Sequence, residues 1–86
     1  MTPQVTIYSS NYCGYCFRAK RILDSKGVAY DEISVDGQGD VRQQMMQLTG
    51  GHTVPQIIIS GKSIGGCDEL YALERQQQLD PLLKAS

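Results

Sequence analysis

Two cysteines three positions apart, Cys13 and Cys16, carry the clearest chemical signal in the chain. They follow shortly after the apolar stretch Val5-Thr6-Ile7-Tyr8, which places the pair where a strand gives way to the first turn of a helix. Two thiols at this spacing can pass a disulfide between themselves and a substrate, and a helix N-terminus favours the thiolate that starts the exchange. Cys13 is therefore the predicted nucleophile, and Cys16, one turn further in, is the predicted resolving thiol.

A zinc site is the alternative chemistry for the same cysteines. Cys13, Cys16, His52 and Cys67 together would supply three thiolates and one imidazole. Structural zinc ligands usually come in two closely spaced pairs, whereas His52 and Cys67 are separated by an apparent strand. The spacing favours the redox interpretation, with Cys67 as an ordinary core residue.

The triplet Thr53-Val54-Pro55 stands at the head of a β-branched stretch. Alone, Pro55 could simply mark the first residue of a strand. With two cysteines upstream, a cis bond at Pro55 would turn the Val54 N–H and C=O outward beside the thiolate. There they could pair with an extended peptide as a neighbouring strand would.

A second turn, Gly65-Gly66-Cys67-Asp68, precedes a predicted helix. Glycines allow a ligand to approach the backbone, the helix N-terminus can bind a carboxylate, and Asp68 can accept a hydrogen bond from an ammonium group. A glycine turn with Asp68 as an ordinary helix cap is the plainer interpretation. Together with the cysteines and the Thr53-Val54-Pro55 triplet, however, the turn suits a site for a cysteine-containing peptide.

Composition limits the function classes. The chain has 86 residues, of which 41% are hydrophobic and 20% charged, a composition typical of one globular domain spanning residues 1–86. The net charge of −1 does not suit a nucleic-acid binder, and no apolar run is long enough to cross a membrane. Three cysteines and no signal-peptide pattern at the N-terminus lead us to expect a cytoplasmic protein. Residues 1–30 nevertheless carry four cationic side chains against one carboxylate, so positive potential is expected near the cysteine pair.

Strands and helices alternate along the chain in the order β-α-β-α-β-β-α, followed by a short terminal helix. The early β-α-β unit implies a parallel strand pair, so we predict an α/β protein with a four-stranded mixed sheet flanked by helices, which is the thioredoxin-like fold. Predicted strands cover residues 5–8, 30–35, 56–60 and 63–64, and predicted helices cover residues 15–26, 40–49, 68 onward and 79–84.

Taken together, these segments resemble the glutaredoxin family, most closely its small bacterial dithiol members of type three. The resemblance covers nearly the whole chain. Its segments are Val5 to Tyr8, Cys13 to Cys16, Arg18-Ala19-Lys20, Ser25 to Val28, Thr53 to Gln56, Ile64 to Asp68, Leu70 to Leu73 and Leu79 to Lys84.

The resemblance implies a glutathione-dependent thiol-disulfide oxidoreductase. Cys13 would form a mixed disulfide with glutathione, and Cys16 would resolve disulfides with proteins. Glutathione and disulfide-containing or glutathionylated proteins would be the partners of a monomer, with no nucleic acid and no membrane involved. The glutathione-binding residues that the resemblance implies are Tyr15, Arg42, Thr53, Val54, Pro55 in the cis form, Gly66, Cys67 and Asp68.

Three positions depart from the family pattern. Gly14 replaces a common proline, which removes the fixed φ angle at the start of the helix. Ser10 replaces a common lysine that assists the thiolate, and His52 replaces a frequent arginine. Because this lysine is missing, an alternative remains in which thioredoxin reductase, and not glutathione, reduces the protein. Because Gly14 is small, a second alternative is a carrier of a [2Fe-2S] cluster, in which two chains each supply Cys13 and two glutathiones complete the four thiolates.

Overall fold

Among residues 5–84, the part of the chain that the computed structural model describes, four strands form one mixed sheet in the order β2-β1-β3-β4. Strand β2 pairs with β1 in parallel, and β1–β3 and β3–β4 pair antiparallel. Residues 1–4, on which the expectation about a signal peptide depends, lie outside the described residues. The strands are β1 (Val5–Ser9), β2 (Asp31–Ser34), β3 (Gln56–Ile59) and β4 (Lys62–Gly65).

The helices cover both faces of this sheet, as the element order predicted. Alternate residues of a strand point to opposite faces, so Ile57 and Ile59 pack with helix residues on one side and Ile58 on the other. None of these helices is long and apolar enough to cross a bilayer. The helices are α1 (Gly14–Ser25), α2 (Gly39–Thr49), α3 (Cys67–Arg75) and α4 (Leu79–Lys84).

The main core lies between the sheet and helices α1, α3 and α4. The helical spacing of Cys16, Ala19, Ile22 and Leu23 predicts one buried stripe on α1, and the structure confirms it because all four are buried. A smaller core on the opposite face contains Tyr8, Val35 and Met45. The cysteine pair therefore opens a helix that is fixed along its length by the larger core.

Several predicted boundaries were wrong by one or two residues. Helix α1 begins at Gly14 rather than at residue 15, and β2 excludes Tyr30 and Val35. The turn between β3 and β4 is Ser60-Gly61, where both φ angles are positive, rather than Gly61-Lys62. A two-residue turn with positive φ angles has a backbone twist that matches the right-handed twist of the two strands it connects.

Helix α2 contacts the sheet through few of its apolar residues. Val41, Met45 and Leu48 recur at the helical spacing that predicts this helix, yet Val41 is half-buried and Leu48 is 57% exposed. The core on this face is small, and Met45 alone among the residues of α2 is buried. Leu48 thus lies past the edge of the contact with the sheet.

Candidate active site

Cys13 lies at the junction between β1 and α1, as its neighbours in the sequence predicted. It is the N-cap residue of α1, with extended backbone at φ −117° and ψ 113°, and its N–H donates to the carbonyl of Ser10 over 3.3 Å. The side chain is partly exposed, and its Sγ donates to the carbonyl oxygen of Val54 over 3.5 Å. The thiol therefore sits at the open end of a helix, against the loop that carries Pro55.

Cys16 lies one turn further along α1 and is fully buried. Burial raises the pKa of its thiol from 9.0 to about 12; the backbone at Ser10 opposes this shift, whereas the neighbouring Cys13 adds to it. Both cysteines are free thiols. At neutral pH Cys16 is consequently protonated, as a resolving thiol at rest would be.

The loop before β3 forms one wall of a groove beside Cys13. The Val54–Pro55 peptide bond is cis, as the resemblance implied. The groove has a volume of about 460 Å³. Its lining contains seven of the eight predicted glutathione-binding residues together with one that was not predicted: Tyr15, Thr53, Val54, Pro55, Gly66, Cys67, Asp68 and Glu69.

The opposite wall depends on the two glycines that precede α3. Gly65 has φ +110°, a conformation that side chains rarely adopt, and a Cβ there would lie 2.8 Å from the Glu69 side chain. A Cβ on Gly66 would lie 3.1 Å from the carbonyl oxygen of Pro55. The missing side chain at Gly65 leaves room for the Glu69 side chain, and the missing side chain at Gly66 lets the start of α3 approach the cis-proline loop.

Glu69, and not Asp68, caps this helix. The Gly66 N–H donates to Glu69 Oε1 over 2.6 Å, and α3 begins at Cys67, so the predicted capping role of Asp68 was wrong. Asp68 lies in the first helical turn with an exposed carboxylate. Sequence reasoning missed Glu69, although a glutamate three residues after the N-cap is the spacing of a capping box.

The third cysteine contributes to the groove and to the core at the same time. Cys67 is 6% exposed and lines the groove. Burial raises the pKa of its thiol, and the Asp68 carboxylate raises it further. A protonated thiol is a weak nucleophile, so the environment of Cys67 disfavours reaction there.

Arg42 does not line the groove. Its guanidinium donates from Nη1 to the backbone carbonyl of His52 over 3.0 Å, which ties α2 to the loop that leads into Thr53. The side chain of His52 is exposed and, like Arg42, is absent from the groove lining. Arg42 therefore stands beside the site, where its structural contact is to the backbone.

A carboxylate organises the turn that precedes Cys13. The hydroxyl of Ser10 donates to Asp36 Oδ1 and accepts from the Tyr12 N–H, while the Asn11 N–H donates to Asp36 Oδ2 over 2.8 Å. The Ser10 hydroxyl and then the Asn11 N–H hold the pKa of Asp36 below its usual value. Asp36 was not predicted, because it follows β2 and only the parallel pairing of β1 and β2 brings it to this turn.

The four ligands of the zinc alternative do not assemble in the described part of the chain. Within residues 5–84 no three side chains of histidine, cysteine, aspartate or glutamate are placed to share a metal ion. His52 does not line the groove that contains Cys67. The arrangement matches thiol exchange at Cys13 better than a closed structural metal site.

Comparison with known sequences points the same way as the geometry. A family model described as Glutaredoxin matches residues 5–64. The chain is 51% identical over 80 residues to Glutaredoxin 3 of Escherichia coli strain K12, covering 93% of this chain and 96% of that protein. It is 48% identical over 83 residues to a glutaredoxin of Pseudomonas aeruginosa, covering 96% of this chain and 99% of the other.

Two solved structures that superimpose on this chain are also glutaredoxins. A buckwheat glutaredoxin–glutathione complex superimposes with a TM-score of 0.88 and 37% identity, covering 96% of this chain and 78% of that one. The solution structure of a glutaredoxin from Brucella melitensis gives a TM-score of 0.83 and 44% identity, covering 95% and 89%. These neighbours confirm the thioredoxin-like fold.

Proposed function

The chain belongs to the glutaredoxin family, and on that premise we propose that it reduces protein disulfides and glutathione mixed disulfides through the thiolate of Cys13. The family supports a glutathione-linked thiol oxidoreductase. The observation that carries the finer proposal is the groove lined by Val54, whose carbonyl accepts a hydrogen bond from Cys13 Sγ, and by the first turn of α3. Such a groove offers one peptide a thiol, a strand-like backbone and a helix N-terminus.

Different residues of the groove bind different parts of glutathione. The Val54 backbone pairs with the cysteinyl residue of glutathione, which brings the glutathione sulfur to Cys13. The free N–H groups at the start of α3 hold the γ-glutamyl carboxylate, and the exposed Asp68 carboxylate accepts from the ammonium group beside it. Tyr15 and Thr53 contact the peptide from the side, and the glycyl end extends toward the loop that Arg42 braces.

Release of a glutathionylated protein takes two exchanges. The Cys13 thiolate attacks the glutathione sulfur, the bond to the protein sulfur breaks, and the protein leaves as a thiolate that takes a proton from solvent. A second glutathione thiolate then attacks the sulfur of the bound glutathione, which releases glutathione disulfide and restores the Cys13 thiolate. Cys16 is not needed for either exchange.

Reduction of a protein disulfide uses both cysteines. Cys13 attacks one sulfur and forms a mixed disulfide with the protein, and Cys16 then loses its proton and attacks Cys13, which frees the second protein thiol. Formation of the mixed disulfide removes the Cys13 contribution that helps to raise the pKa of Cys16. Two glutathiones reduce the resulting Cys13–Cys16 disulfide. Family potentials of about −200 to −230 mV suit regeneration by the glutathione of the cytoplasm, where we place this activity.

The test is turnover of a glutathione mixed disulfide with free glutathione as the only reductant. We expect turnover with glutathione and glutathione reductase, and much slower turnover when thioredoxin and its reductase replace them. A protein that works only with thioredoxin reductase would contradict the proposal and would support the alternative that Ser10 keeps open.

Gly14 supports a second candidate function, the binding of a [2Fe-2S] cluster between two chains and two glutathiones. A Cβ built on Gly14 meets no atom within 4 Å, and Cys13 beside it is partly exposed, so the thiolate is accessible to a bulky group. Cys13 would be the ligand from each chain, and the cluster would supply electron transfer or iron–sulfur delivery. Purification without oxygen in the presence of glutathione tests this: a coloured dimer that Gly14→Pro weakens is expected, and a colourless monomer contradicts it.

A further inference from the structure

A second groove, of about 510 Å³, lies along the outer face of α1. A small hollow of about 170 Å³ is lined by Gly14, Tyr15 and Arg18. It shares Tyr15 with the catalytic groove and Arg18 with the second groove, and the Arg18 guanidinium lies 5.8 Å from the centroid of the Tyr15 ring, so the two grooves are neighbours on the surface. We call the second depression the α1 groove; α1 and the start of β2 provide its lining, which includes Phe17, Arg18, Lys20, Arg21, Asp24 and Glu32.

Two arginines of the α1 groove form no ion pair within the described residues. The Lys20 ammonium and the Glu32 carboxylate form an ion pair at 2.8 Å, so their charges offset each other. Within residues 5–83, by contrast, no carboxylate forms an ion pair with Arg18 or Arg21, and both side chains are exposed. The other acidic residue of the groove, Asp24, accepts a hydrogen bond from the Tyr30 hydroxyl. With Arg18, Lys20 and Arg21 against Asp24 and Glu32, the α1 groove has a formal net charge of +1.

An exposed aromatic side chain also lines the α1 groove. Phe17 is 54% exposed, and the Lys20 ammonium lies 4.8 Å from its ring centroid. Aromatic residues and arginines beside a reactive centre are the composition of protein-binding surfaces. Outside the groove the balance is reversed: without Glu32, residues 31–86 carry seven acidic side chains against four basic ones.

We propose that the α1 groove binds an acidic segment of the protein substrate, next to the cysteine that the active site reduces. An acidic chain is repelled by the remainder of the surface and attracted here, which directs it to the face that carries Cys13. Cys13 and Arg21 are about 12 Å apart along the helix axis, from the rise of 1.5 Å per residue, a span of three to four residues of extended peptide. The preferred substrates are thus glutathionylated or disulfide-bonded proteins with acidic residues three or four positions from the target cysteine. This inference rests on the proposed function.

The test compares three disulfides of glutathione: one with an acidic peptide, one with a basic peptide and one with free cysteine. The peptides contain a single cysteine and carry glutamates or lysines at the third and fourth positions on both sides. The variant is Arg21→Glu, outside the residues assigned to catalysis. The matched control is Lys62→Glu, which makes the same charge change on β4, at the opposite edge of the sheet from β2.

We expect Arg21→Glu to lower kcat/KM for the acidic peptide about fivefold or more at low salt, and to leave the free-cysteine disulfide unchanged. Lys62→Glu should have little effect on either substrate, and the loss should shrink at about 0.5 M salt because ions screen exposed charges. Equal effects of the two variants, or equal rates for acidic and basic peptides, would overturn the proposal. A change in dimerisation caused by Arg21→Glu would assign the groove to a second copy and would also overturn it. Absence of turnover even with the free-cysteine disulfide would refute the proposed function itself, and the docking proposal with it.

Discussion

The buried position of Cys16 predicts a large difference in reactivity between the two active-site cysteines. A pKa of about 12, raised chiefly by burial, leaves roughly one thiolate in 10,000 at pH 8. In the unfolded chain the ordinary value of 9.0 leaves about one in ten. Because iodoacetamide reacts with the thiolate, Cys16 should be alkylated about a thousandfold more slowly in the folded protein than in urea.

Brief exposure to iodoacetamide at pH 8, followed by tandem mass spectrometry of the peptide that contains both cysteines, measures this difference. Cys13, which is partly exposed, should carry nearly all the label in the folded protein. The same chain in urea is the control, and there the two sites should react at similar rates. Equal labelling of Cys13 and Cys16 in the folded protein, or a folded-to-unfolded ratio within tenfold for Cys16, would refute the assignment of Cys16 as a protected resolving thiol.

Three further predictions concern stability and positioning. Leu70→Ala removes a fully buried core side chain and should cost about 2–5 kcal/mol, lowering Tm by roughly 10 °C or more, whereas Leu48→Ala, at a mostly exposed position, should change Tm little in the same melting experiment. Glu32→Gln should lower Tm by at most about 5 °C at pH 7, because the ion pair with the Lys20 ammonium lowers the pKa of Glu32 and so stabilises the folded protein. The difference in Tm between the two proteins should have its full size above pH 4.5, the ordinary pKa, and should disappear as the pH falls through the lower pKa of Glu32 in the folded protein. Asp36→Ala releases the turn before the cysteines and should lower kcat/KM roughly tenfold with a smaller change in Tm, and unchanged kinetics would show that the turn holds its shape without this carboxylate.

Local patterns in the sequence predicted most of the fold. The stripe of α1 from Cys16 to Leu23 is visible because four small or apolar residues recur at helical spacing, and the structure buries all of them. Leu48 has the same spacing and is exposed. Periodicity identifies the possible buried face of a helix, but how far the core extends along that face depends on the size of the sheet beneath it.

Site residues that belong to distinctive motifs were also predictable, and residues with an ordinary sequence context were not. The cis-proline loop and the start of α3 were assigned to one site through motifs whose residue types are distinctive. Asp36 has an ordinary sequence context and reaches Ser10 only because β1 and β2 pair in parallel. Arg42 was expected in the site, yet its guanidinium binds the His52 carbonyl, a contact that no sequence pattern encodes.

The identity of the residue that bonds to glutathione tests the central claim most directly. Cys16→Ser, which keeps the nucleophile and removes the resolving thiol, is incubated with glutathione disulfide and analysed intact and after digestion by mass spectrometry. The groove geometry, with a partly exposed Cys13 and a buried Cys67 whose pKa is raised, predicts one bound glutathione, attached to Cys13. Free glutathione should release it, and Cys13→Ser should acquire none. Attachment at Cys67, or no adduct on Cys16→Ser, would contradict the account.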